Sequence, residues 1–139
     1  MSTPQGSVAD GLFQALAVFK KSWPGGGFSW DSRLNCVASS FSTQLEAEAR
    51  AAVAKSFKLQ WTSRTLRSAP EVIQEVADQV GGLRQDQLLV AMDPNETLIA
   101  YGLWWPWGDD VTISFRVGLG GMSSVRYEDG FRDLFGATL

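Results

Sequence analysis

The segment Thr97 to Trp105 limits the fold more than any other. Leu98, Ala100 and Trp104 alternate along it with Ile99, Tyr101, Leu103 and Trp105, so both faces of the strand it encodes are apolar. Neither side of such a strand is suited to water. Either helices cover both faces of its sheet, or one face meets a partner.

The neighbouring segments supply that sheet. Leu88 to Met92 is an apolar run, and Asp93-Pro94-Asn95-Glu96 places proline second in a type I turn. After the strand, Pro106-Trp107-Gly108-Asp109-Asp110 turns the chain and Val111 to Leu119 returns it. These three runs predict an antiparallel meander. Upstream, Leu59 and Trp61 alternate with Lys58, Gln60 and Thr62, which suits a half-buried strand within Lys58 to Leu66. Leu34, Cys36 and Ala38 alternate in a serine-rich stretch that reads equally as a short strand or a loop.

Three segments carry helical spacing. Val8, Leu12, Ala15, Leu16 and Phe19 share one face of a helix over Val8 to Lys21, with Ser7 and Asp10 as a capping box and Trp23-Pro24-Gly25-Gly26-Gly27 as its stop. Thr43 and Glu46 open a second helix whose stripe is Leu45, Ala49, Ala52, Val53 and Phe57, with Glu46 and Arg50 paired on the outer side. A third starts at Ser68-Ala69-Pro70-Glu71, buries Val72, Ile73, Val76 and Val80, and stops at Gly81-Gly82. Tyr127, Phe131, Leu134 and Phe135 suggest a short closing helix. The expected fold is α+β: one domain over 1–139, an antiparallel β-meander of three to five strands, with three or four helices packed on one face.

The residue types exclude several chemistries. The chain has no histidine and one cysteine. Ser-His-Asp and Cys-His arrangements therefore cannot form, nor can zinc sites built on imidazole or on four thiolates. Cys36 among apolar neighbours reads as a small core residue. Gly118-Leu119-Gly120-Gly121 lacks the lysine of a phosphate-binding loop. No metal, no cofactor and no catalytic residue is expected.

Charge is unevenly spread. Residues 1–67 hold eight basic and four acidic side chains, net +4, and residues 68–139 hold four basic and eleven acidic, net −7. Lys55, Lys58, Arg64 and Arg67 surround Trp61, but four cations on a chain of net charge −3 make a short footprint, and nucleic acid is not expected as a partner. No secretory signal and no run of about 18 apolar residues is present, so a cytoplasmic location without membrane contact is expected.

The candidate site is the tryptophan hairpin. Trp104, Trp105 and Trp107 flank Pro106, with Tyr101 upstream and Asp109 and Asp110 downstream. Aromatic anchors bordered by acids have the composition of a binding hot spot. The function expected is a non-enzymatic protein-binding domain, such as a small acidic immunity or inhibitor protein that covers a basic enzyme. The alternatives are a subunit or adaptor of a larger, self-associating assembly, and a small-molecule or sugar-binding module that stacks its ligand on the tryptophans.

Overall fold

The computed structural model describes residues 4–92 and 97–137, with side chains from Ala9 onward. The predicted turn at Asp93-Pro94-Asn95-Glu96 lies outside the described residues. The elements run α1 (Pro4–Ser22), β1 (Ser29–Asp31), β2 (Cys36–Ser42), α2 (Glu46–Ser56), β3 (Leu59–Trp61), α3 (Glu71–Gln79), β4 (Leu88–Ala91), β5 (Ile99–Pro106), β6 (Thr112–Gly120) and α4 (Glu128–Leu134). The fold is α+β, with a single antiparallel sheet in the order β1-β2-β6-β5-β4-β3.

Two expectations need correction. The described sheet has six strands, not three to five, because the β1–β2 hairpin joins it through β2, which pairs with β6 from Cys36↔Gly118 to Ser42↔Thr112. Helices also cover both faces. On one, Phe19 and Trp23 of the α1 region, Ala49, Ala52, Val53 and Phe57 of the α2 region, and Phe131 and Phe135 around α4 pack against Val37, Val90, Trp104, Phe115 and Val117. On the other, Val72, Ile73, Val76 and Ala77 of α3 pack against Leu89, Ala91, Ile99, Tyr101 and Leu103. The two-sided β5 has the cover that its sequence demands.

Local signals explain the element ends. Gly81 and Gly82 take φ of 85° and 87°, the left-handed region that glycine enters at least cost, and terminate α3. Pro70 precedes the first residue of α3, while Ser68 belongs to a separate 3₁₀ turn. Ser42, rather than Thr43, caps the second helical segment by accepting from the Gln44 amide at 3.2 Å. The Glu46–Arg50 pair forms at 3.1 Å. Helix α1 starts earlier than its pattern suggests, so Ser7 and Asp10 lie within it.

The first face is an aromatic layer. Trp23 packs on Phe19, Phe28, Phe41 and Phe115, with ring centroids 5.3–5.8 Å apart. Its indole N–H donates to Ser39 Oγ at 3.0 Å, and that hydroxyl donates to the Gly25 carbonyl at 3.1 Å. The polar end of the tryptophan is thereby matched inside the core. Rings of this size each contribute roughly 1.5–3 kcal/mol on burial, so this layer dominates the stability. Among the described residues, no helix is long and apolar enough to cross a membrane.

Candidate functional site

The β5–β6 turn is built by one carboxylate. Asp109 accepts from the backbone N–H of Val111 at 3.0 Å, that of Thr112 at 2.9 Å, and the Thr112 hydroxyl at 2.8 Å. These donors hold its carboxyl below the ordinary aspartate range. Asp110 follows with φ of 61°, a left-handed conformation that short polar residues tolerate. Below the turn, the Trp107 amide donates to the Thr112 carbonyl at 2.9 Å, and the Thr43 amide donates to the Val111 carbonyl at 3.0 Å. The tip is therefore tied both to itself and to the segment that opens α2.

This frame holds two apolar side chains in solvent. Trp107 is 46% exposed and Val111 58% exposed. Both are large, and neither belongs to the two buried clusters.

The predicted site residues divide into three groups. Trp107, Asp109 and Asp110 meet at the tip, joined by Val111, which sequence reasoning passed over because it was read only as the start of a strand. Trp104 is core: it is 2% exposed, lies against Phe41 and Phe115, and carries the Arg50 guanidinium 4.9 Å from its ring centre. Tyr101 is also core, at 1% exposed, on the opposite face. Neither can contact a docked macromolecule in this conformation, so both leave the proposed interface. Trp105 is half-buried on the Tyr101 face, with Arg116 stacked 5.0 Å from its ring centre. A stacking platform shared by Trp104, Trp105 and Trp107 is not formed, because strand alternation sends the first two to opposite sides of β5.

A second polar cluster lies on the Tyr101 face. The register places Asp31, Cys36, Gly118 and Tyr101 in one row across β1, β2, β6 and β5. Asp31 is paired with Arg116 from the next row and, at 3.3 Å, with Arg33. Burial alone would raise the Asp31 carboxyl, but hydrogen bonds from Arg33 and Arg116 outweigh it and hold the group at about 2. For Cys36 burial wins. The thiol is pushed up to about 11, although Arg116 pulls it the other way. It is protonated at neutral pH and is a poor nucleophile. Cys36 is 1% exposed, as expected of a small core residue, and Arg116, Asp31 and Tyr101 lie near enough to influence its charge.

The sequence held one clue to this cluster, the Asp31-x-Arg33 spacing. The decisive partner, Arg116, is 85 residues away. Among the described residues, no group of three or more histidine, cysteine, aspartate or glutamate side chains could hold a metal ion. The chain matches no protein-family model, and no curated protein and no solved structure matches it.

Proposed function

We propose that this chain is a non-catalytic protein-binding domain that docks through the tip of the β5–β6 hairpin, with Trp107 as its anchor. One observation carries the reading: a large aromatic ring is held in solvent by a turn whose hydrogen bonds fix it in place. An anchor ordered before binding loses less freedom on association, which favours affinity. Val111 widens the apolar contact, and the exposed Asp110 favours a basic rim on the partner. The net charge of −3 acts in the same direction. A small acidic inhibitor that covers a basic enzyme has this form.

The test is capture from native lysate with wild-type and Trp107→Ala baits in parallel, followed by affinity measurement on the captured protein. Trp107→Ala should weaken binding by roughly tenfold or more. Asp110→Ala should mainly slow association and flatten its salt dependence. Equal affinity of the Trp107→Ala and wild-type baits would remove the tip as the interface.

A further inference from the structure

At the end of the sheet opposite the hairpin tip, a cavity of about 300 Å³ opens between the β1–β2 turn, the end of α3 and the segment 124–131. That volume lies at the lower end of the range for small-molecule sites. Arg33 and Asn35 line it from the turn, Glu128 from the first residue of α4, and Leu119 and Phe131 supply apolar surface.

Tyr101 completes the lining. The ring lies across β6 over Gly118, where any Cβ would overlap the phenol oxygen. The hydroxyl end therefore reaches toward β2, the side on which the Arg33–Asn35 turn stands. The residue as a whole is 1% exposed, and it reaches the cavity as part of its lining. Burial raises its pKa, so it is a neutral donor at physiological pH.

Charge narrows the ligand. Two guanidiniums, Arg33 and Arg116, share the single Asp31 carboxylate, which leaves positive charge unbalanced beside the β1–β2 turn. Glu128 brings negative charge from a different segment of the wall. Asn35 sits at φ 52°, a left-handed conformation that asparagine tolerates in a turn.

We propose that this cavity binds a small zwitterion of the free amino-acid type. Its carboxylate is received by Arg33 and the Tyr101 hydroxyl, its ammonium by Glu128, and its side chain by Leu119 and Phe131. Binding here is independent of the hairpin tip, and the two proposals stand or fall separately.

The experiment is titration of the full chain, followed by chemical-shift perturbation, with L-leucine and L-phenylalanine as probes. 4-Methylpentanoate serves as the analogue without the amine, and isoamylamine as the analogue without the carboxylate. At least one amino acid should bind, and each one-charge analogue should bind about tenfold more weakly or worse. Arg33→Gln alters an exposed side chain and Tyr101→Phe removes only the hydroxyl, so both variants should fold and bind about tenfold more weakly. Glu128→Gln should abolish the preference for L-leucine over 4-methylpentanoate. The proposal is overturned if neither amino acid binds at millimolar concentration, if a one-charge analogue binds as well as the amino acids, or if Arg33→Gln and Tyr101→Phe leave binding unchanged.

Discussion

Val37, Phe115 and Trp104 meet three helices on one face of the sheet. Cys36, Arg116 and Tyr101, close by in the same rows and strands, face a single helix and a shared carboxylate on the other. The first face is a dense set of rings. The second is half apolar, under α3, and half polar, over β1, β2 and β6. Because side chains alternate, one register fixes both outcomes at once: a slip of one residue in β6 would exchange Phe115 for Arg116. The aromatic face supplies stability, while the other keeps titratable groups in a fixed, partly buried array.

The largest effect should come from the first face. Phe115→Ala removes a fully buried ring packed against Phe19, Trp23 and Phe57 and should cost about 3–5 kcal/mol by denaturant unfolding. A loss below about 1 kcal/mol would show that the aromatic face is not the main source of stability.

The second face makes a different kind of prediction. With its thiol raised from 9.0 to about 11, Cys36 should be alkylated roughly a hundredfold more slowly in the native protein than in denaturant, since each pKa unit removes tenfold of the thiolate. Native labelling as fast as that of the unfolded chain would mean that the polar strip is open to solvent.

Asp31 gives a smaller effect with a defined sign. Its folded pKa of about 2 lies below the ordinary 3.8, so its contribution is fully present above roughly pH 5 and is lost as the pH falls through 2. Solvent screening at this partly buried site reduces the contribution to about 1–2 kcal/mol. Wild type and Asp31→Asn should thus differ in stability at pH 7 and converge near pH 2. Parallel pH profiles would show that the shared carboxylate contributes nothing. Least of all, Trp107→Ala should change stability by no more than about 0.5 kcal/mol in either direction, as expected of a side chain outside both faces.

What the sequence disclosed follows the range of each signal. The two-sided β5 and its division of Trp104 from Trp105 could be read from alternation alone. Helix α3 could be read from Pro70 and Gly81-Gly82, and the hairpin tip from its turn residues. Those signals act over a few positions. The β2–β6 pairing could not be read, because a serine-rich segment with weak alternation does not name its partner. For the same reason the Asp31–Arg116 pair and the surroundings of Cys36 were hidden. Trp104 looked available for binding only because nothing local shows that Phe41 and α2 close over it.

The strand order also sets when the domain can be assembled. β2 is made early, yet its hydrogen-bonding partner β6 is the last strand among the described residues, with about half the chain between them. Until Thr112–Gly120 leaves the ribosome, Phe41 and Val37 have no rung to join, and α1 and α2 have only part of the surface they will cover. Long-range closure of this kind slows folding and prolongs the exposure of apolar segments. During synthesis, then, the aromatic rings that later stabilise the fold are its main aggregation hazard, and a pause in translation before β6 should be more harmful than one after it.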